Sequence, residues 1–259
     1  MQLLNFIKTY TRLPEKGIEN TIELLNEDCT IPFISRYRKE RTGNLDEVQI
    51  ADIVKYKSLF EELEKRKLSI LKTLEEQDVL TEELQNKIIA STDLTTLEDL
   101  YLPYKKKRKT KAETARKNGL EPLAKIIMSQ NATNIGDIAL KYVNKEVKTK
   151  EEALEGARFI IAEWVNERVD IRNNIRNQLE KYAIINTKAV KSKIDDEKAQ
   201  KFRDYFDWSE ALNRCPSHRL LAILRAEKEG FVRLKIEIDD HRALTKIEDK
   251  IVRSDNDCA

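Results

Sequence analysis

Membrane-length apolar runs, tight-turn residues and paired cysteines are all scarce in this chain of 259 residues. No apolar run approaches the roughly 20 residues a spanning helix needs, so no membrane partner is expected. Met1 to Thr11 is too short and wrongly patterned for a signal peptide. Six Gly and five Pro are too few for a β-rich protein built on many tight turns, which favours helices. The three cysteines, Cys29, Cys215 and Cys258, are odd in number and widely spaced, as expected of reduced thiols in a cytoplasmic protein. His218 and His241 lack a nucleophile or metal partner at local spacing. Cys215-Pro-Ser-His218 is half a zinc site that only His241 and Cys258 are left to complete. Asp239-Asp240-His241 has no third carboxylate for a metal clamp, and acidic residues commonly end strands. A Gly-rich phosphate loop is also missing. The expectation is a non-catalytic chain with no metal and no cofactor.

What is present is charge and helical period. Charged residues make up 36% and hydrophobic ones 40%, the balance of a globular protein with enough length for one large or two modest domains. The expected fold is mainly α: a multi-helix bundle with a long central helix, a helix-turn-helix-like N-terminus and a lone β-strand near the C-terminus. Leu3 to Tyr10 and Ile18 to Leu25 are amphipathic segments around Thr11 to Gly17, yet neither has a dense basic face for a major groove, so helix packing is favoured. Asn44, with Glu47 three residues on, reads as the cap of a helix over Leu45 to Glu76, about 48 Å long at 1.5 Å per residue. Lys67 and Gln77 interrupt its apolar seam, which suggests a stiff bundle helix. Glu82 to Ala90 and Leu94 to Leu100 follow as helices, and Glu151 to Tyr182 as one or two more.

Trp164 and Trp208 are read as core anchors. Lys188 to Lys201 reads as a connecting loop and helix start, and Ser217 as the N-cap before Leu220 to Leu224. Val232 to Ile238 alternates with period two, and no second run matches it, so its partner is expected from outside the chain. Ser254 to Cys258 reads as a helix beginning. Three segments result: 1–44, 45–230 and 231–259.

The charge is focused. Between Tyr101 and Leu120 stand eight Lys or Arg against one acid, Glu113, a local net of +7; the whole chain is only +2, so the other 239 residues sum to −5. Such focusing creates a local positive potential that an anionic polymer feels. Pro103 disfavours a continuous helix, and six cations between Lys105 and Lys111 repel one another, so an exposed loop is expected, with a new helix from Lys111 or Ala112 through Arg116.

The wording of this stretch, Leu97-Glu-Asp-Leu-Tyr-Leu-Pro-Tyr-Lys-Lys-Lys-Arg-Lys-Thr-Lys111 followed by Gly119-Leu-Glu-Pro-Leu123, closely resembles a signature of the Tex family. These are bacterial transcription accessory proteins whose core is similar to that of a eukaryotic transcription elongation factor and histone chaperone. Ile31-Pro-Phe-Ile-Ser-Arg-Tyr-Arg-Lys-Glu-Arg-Thr-Gly-Asn-Leu-Asp-Glu-Val-Gln49 resembles the family's most recognisable block. Glu155-Gly-Ala-Arg158 with Ala162 to Glu167, Tyr205 to Glu210 with Pro216 to Arg219, and Leu224 to Gly230 are similar to the rest. The likeness covers roughly residues 18 to 230, in the family's order. Ala226 stands where the family tends to have Gly. Full-length members continue into a ribonuclease-H-like domain, helix-hairpin-helix elements and an S1 domain that binds RNA. The resemblance therefore implies an N-terminal portion truncated before them.

Two groups of cations are candidate nucleic-acid contacts. Lys105, Lys106, Lys107, Arg108, Lys109, Lys111 and Arg116 suit phosphates, whose counterions they would release; the alternative is a solvated loop. Tyr101 or Tyr104 stacks on an unpaired base or packs inward, and the core is favoured. Arg36, Arg38 and Lys39, beside Arg41, form the second group. At helical spacing Ile31, Phe33, Ile34 and Tyr37 face one way, and Arg36 and Lys39 the other. These cations grip phosphate or pair with Glu40, Asp46 or Glu47 to hold the start of the long helix, and the structural role is favoured. Two functions remain. One is a module binding RNA or DNA by its backbone, without sequence preference. The other is a scaffold docking RNA polymerase or the protein's own downstream domains.

Overall fold

The structure is a computed structural model and describes residues 3–105 and 110–258. The chain divides into two compact units, Met1–Lys106 and Lys107–Ala259.

The first unit is all helical: α1 (Leu3–Tyr10), α2 (Glu15–Asn26), α3 (Ile31–Tyr37), α4 (Lys39–Thr42), α5 (Glu47–Glu76), α6 (Glu82–Ala90) and α7 (Leu94–Tyr101). The 30 residues of α5 span about 45 Å, and two cores form along it. Ile50 and Ile53 join Ile7, Ile18, Leu24, Ile34 and Leu45. Leu63, Ile70 and Leu74 join Phe6, Leu84, Ile88, Leu97 and Tyr101. Aromatic pairs from α1 brace the strut, Phe6 against Phe60 at 5.4 Å and Tyr10 stacked on Tyr56 at 4.8 Å.

The cap of α5 is Asp46, not Asn44. The Asp46 carboxylate accepts from the Gln49 amide at 2.8 Å, and the Asp46 amide donates to the Gln49 side chain at 3.0 Å. Asn44 instead follows Gly43 in the left-handed region, φ 66° after 71°. It serves the reversal out of α4, a conformation Asn tolerates better than most residues. Lys67 does more than interrupt a seam. It is buried, and its ammonium binds Glu64 at 2.9 Å and the Ile89 carbonyl at 3.0 Å, tying α5 to the last turn of α6.

The second unit begins with α8 (Lys111–Lys117), α9 (Glu121–Ser129), α10 (Ile135–Leu140), α11 (Lys150–Glu167) and α12 (Val169–Tyr182). Small residues let α11 lie close on α8: Ala112, Ala115, Ala153 and Ala157 share one core with Leu120, Leu123 and Ile160. Trp164 is half-buried against the same core. Strands β1 (Ile184–Ala189), β2 (Asp207–Ala211) and β3 (Val232–Glu237) follow, with α13 (Ser217–Lys228) before β3 and α14 (Asp240–Ile251) after it.

The mainly α class holds, but the strand at 232–237 is not alone. The sheet runs β2-β1-β3, antiparallel throughout, with Thr187 opposite both Trp208 and Leu234. Its partners escape a search for alternation because Thr187, a polar residue, takes the inward place on β1. Its hydroxyl donates to the Tyr205 carbonyl at 2.6 Å. The segment read as loop and helix start holds the end of β1 and a 3-10 stretch from Glu197 to Tyr205. Phe202, Phe231 and Val232 close a core in which Ala226 is fully buried.

Ser217 is the first helical residue and not the cap, a position held by Pro216 with no side-chain cap bond. Nor does a helix begin at Ser254. Residues 251–258 wrap Gln130, whose amide donates to the Ile251 carbonyl at 2.7 Å and accepts from the Arg253 amide at 2.7 Å. Asn256 binds the Gln130 carbonyl at 2.7 Å, so partners for one polar residue replace a helical ladder.

Asp170 joins α12 to α14. It accepts from Arg168 at 2.9 and 3.0 Å and from Lys250 at 3.4 Å, and the Arg168 hydrogen bonds hold its carboxyl down at about 2. A carboxyl depressed from 3.8 to about 2 adds stability above the higher value, which is lost as pH falls through the lower one. Asp170→Asn should therefore flatten the acid limb of a stability curve between about pH 4 and pH 2. Asp46→Ala should cost about 1 kcal/mol, read as a lowered midpoint in thermal unfolding.

Candidate functional site

Lys106, Lys107, Arg108 and Lys109 lie outside the described residues. On one side of them, Leu102–Tyr104 forms a single 3-10 turn and Lys105 is exposed. Tyr101 is 8% exposed and belongs to the core of the first unit; Tyr104 packs half-buried against the same core. On the other side, Thr110 caps α8 by accepting from the Glu113 amide at 3.0 Å. The Lys111 ammonium sits 4.6 Å from the Phe159 ring centre. Arg116 is held by Glu163 at 2.6 Å, which spends its charge inside the second unit.

The second group of cations is built by the turn from α3 to α4. Arg36, Tyr37, Arg38, Lys39, Glu40 and Arg41 line an open depression of about 420 Å³. Its floor is fixed from α2. Gly17 lies so near α4 that a Cβ there would be 2.8 Å from the Thr42 carbonyl oxygen. The Asn20 amide donates to the Arg41 carbonyl at 2.5 Å. Arg41 reaches Glu27 at 3.4 Å and Glu23 at 3.2 Å, and these bonds raise its pKa, Glu27 foremost.

The ion pairs expected with Glu40, Asp46 or Glu47 are thus replaced, at Arg41, by pairs with α2. Arg36, Arg38 and Lys39 have no carboxylate partner among the described residues. The Arg38 guanidinium donates to the Tyr37 carbonyl at 3.1 Å and lies 5.0 Å from the Phe33 ring centre. Tyr37 departs from its expected inward place. Ile34 is fully buried and Phe33 half-buried, but Tyr37, the last residue of α3, is 68% exposed. The backbone breaks from the helix at Arg38, with φ −131°, so the 3.6-residue period that pointed Tyr37 inward ends at that residue.

A third constellation gathers two of the sequence blocks. Arg219 on α13 donates to both oxygens of Glu210 on β2, at 2.7 and 2.8 Å, and its guanidinium lies 5.0 Å from the half-buried Trp208 ring. Arg219 holds the Glu210 carboxyl below its usual range, while burial pushes the neighbouring Cys215 thiol up. This is a strand-to-helix clamp with a protonated thiol beside it. His218 and His241 are exposed. Among the described residues, no group of three or more His, Cys, Asp or Glu is placed to hold a metal ion. No helix among them is long and apolar enough to cross a membrane.

Both units carry a family likeness. The description Tex-like protein N-terminal domain matches residues 1–75, and Tex central region-like matches residues 130–256. The chain belongs to the Tex family. It is 41% identical over 225 residues to the Transcriptional accessory protein Tex of Neisseria gonorrhoeae, covering 86% of this chain and 30% of that protein. It is 42% identical over 228 residues to Protein YhgF of Escherichia coli, covering 87% and 29%. The human S1 RNA-binding domain-containing protein 1 is 29% identical over 230 residues, covering 85% and 23%. The chain thus spans about 30% of the length of the first of these Tex relatives. The Ile31 to Gln49 block lies within the matched N-terminal domain, and its geometry depends on the contact at Gly17.

Alanine normally improves a helix by about 1 kcal/mol over glycine, but forcing atoms into a packed site typically costs 1–3 kcal/mol. Gly17→Ala should therefore destabilise the chain, because the obstructing atom is backbone. A raised thermal midpoint would contradict the packing described for α2 and α4.

Proposed function

We propose that this chain is a non-catalytic helical module of a transcription accessory protein that holds nucleic acid by its backbone phosphates, without sequence preference. The observation that carries the reading is charge distribution: a segment of +7 within a chain otherwise at −5. Arg36, Arg38 and Lys39 add a second cationic group left without carboxylate partners among the described residues. Phosphate contact by such residues is sequence-independent and driven by counterion release. Two relatives point the same way by name, one a transcriptional accessory protein and one containing an S1 RNA-binding domain. Arg116 is engaged by Glu163, so the first contact set reduces to Lys105 through Lys109 and Lys111.

The free thiols at Cys29, Cys215 and Cys258 support a cytoplasmic setting. The first two helices spend their apolar faces on the core around Ile7, Ile18 and Leu24, which supports packing over groove reading for the helix-turn-helix-like start.

A scaffold that docks RNA polymerase, or other domains of a longer protein, is favoured by one observation: Leu221 and Leu224 stand 67% and 42% exposed on neighbouring turns of α13. Anisotropy titrations of single-stranded RNA and duplex DNA across a salt series separate the two. The module should bind with a log–log salt slope of about −0.9 per neutralised phosphate on duplex. Changing Lys105, Lys106, Lys107, Arg108 and Lys109 to Gln should lower both affinity and slope. Equal behaviour of the two proteins, or no binding near physiological salt, would transfer the function to the scaffold.

A further inference from the structure

We infer that the depression formed by Arg36 to Arg41 takes an unpaired nucleotide of a single strand, its base on the Tyr37 ring and its flanking phosphates on Arg36, Arg38 and Lys39. The inference rests on the nucleic-acid reading above but concerns residues other than the Lys105 to Lys109 segment, and it adds a preference that phosphate contacts alone do not supply.

Four observations converge on it. Tyr37 is among the most exposed large apolar side chains described, at 68%. An aromatic ring left in water forgoes burial worth having, and a stacking ligand would restore it. The ring is braced on one side by Phe33, with centroids 5.4 Å apart. Arg36, Arg38 and Lys39 flank it with charge that no carboxylate partner among the described residues neutralises. Their neighbour Arg41 shows the alternative within the same turn: it is engaged by Glu23 and Glu27, and it anchors the segment instead of presenting charge.

The depression is also preorganised. Thr42 is fully buried, and its hydroxyl hydrogen-bonds the Arg38 and Lys39 carbonyls at 3.4 and 3.2 Å. The Gly17 contact and the Asn20 hydrogen bond fix the backbone from α2. A ligand therefore orders side chains but not a loop, which lowers the entropic cost of binding.

A stacking platform flanked by Arg36, Arg38 and Lys39, with Glu40 as the one acid lining the depression, suits a polyanion whose bases have free faces. In a duplex those faces are already stacked on each other, so Tyr37 has nothing to add there. An acidic peptide would satisfy the cations but would leave the ring without a planar partner.

The test is a set of titrations on the full chain with labelled single-stranded RNA, single-stranded DNA of the same length, and duplex DNA. Tyr37→Leu, Tyr37→Phe and the five-residue loop variant with Gln run beside the wild type. Tyr37→Leu should lose about tenfold in affinity for a single strand while keeping wild-type affinity for duplex and an unchanged salt slope. Tyr37→Phe should restore single-strand binding, since the ring face and not the hydroxyl carries the contact. Thermal midpoints check that both variants fold. If Tyr37→Leu binds single strands as the wild type does while the loop variant is weakened, the inference falls and the nucleic-acid reading stands. An equal loss on duplex and single strands also overturns it, because the ring would then act on charge placement and not on a base. Absence of wild-type binding to any of the probes removes both.

Discussion

The first unit depends on α5 keeping two apolar faces buried along a single straight element. Its early turns give Ile50 and Ile53 to a core closed by α1, α2 and α3, and its later turns give Leu63, Ile70 and Leu74 to one closed by α6 and α7. Burial of one such side chain is worth about 1.5–3 kcal/mol, so these five outweigh any polar contact made by the same helix. The cost of a long helix is its ends, where backbone groups lose their partners. The Asp46 and Gln49 box answers this at one end of α5, and Lys67 lends its ammonium to the end of α6. The turn from α3 to α4 is seated on this frame, because Ile34 enters the same core as Ile50.

Where burial followed a regular period, the sequence could be read almost to the residue. The helices at 3–10, 82–90 and 94–101 stand close to where their apolar spacing put them. Three misreadings have physical causes. Asn44 and Asp46 are both good caps, and the choice between them was made by Gly43 and Asn44 adopting positive φ, which spacing does not encode. Strands β1 and β2 were hidden because Thr187 faces inward and pays for its hydroxyl with the Tyr205 carbonyl, a tertiary partner. Ser254 to Cys258 carries helix-start residues whose polar atoms are claimed by Gln130, more than 120 residues away along the chain. In the last two cases local signals lost to a partner distant in sequence.

The candidate contacts were legible as charge and illegible as geometry. Eight cations near residue 110 stand out in any count, yet the count cannot tell that Arg116 is engaged by Glu163. In the Arg36 to Arg41 segment the period suggested a buried Tyr37, because periodicity assumes that the helix continues. It stops at that residue, and the ring that would have been core is left in solvent among cations.

Several cations find carboxylates within one helical turn, Lys57 with Glu61, Lys87 with Glu83, Lys117 with Glu113, Lys125 with Glu121 and Arg225 with Glu229, while exposed Lys16 and Lys65, like Arg36, Arg38 and Lys39, have no carboxylate partner among the described residues. Acids are not in short supply, since the chain outside residues 101–120 is net negative. Each surface pair contributes little, with a median near 0–1 kcal/mol, so folding neither requires them nor suffers much without them. What pairing does change is the field outside the protein. A paired surface presents no net charge to a passing polymer, whereas a cluster kept apart from its acids attracts one. Arg36, Arg38 and Lys39 are kept apart while Arg41, within the same six residues, is not. Arg41, turned to α2, serves the fold; Arg36, Arg38 and Lys39, without carboxylate partners among the described residues, leave a positive field at the turn from α3 to α4.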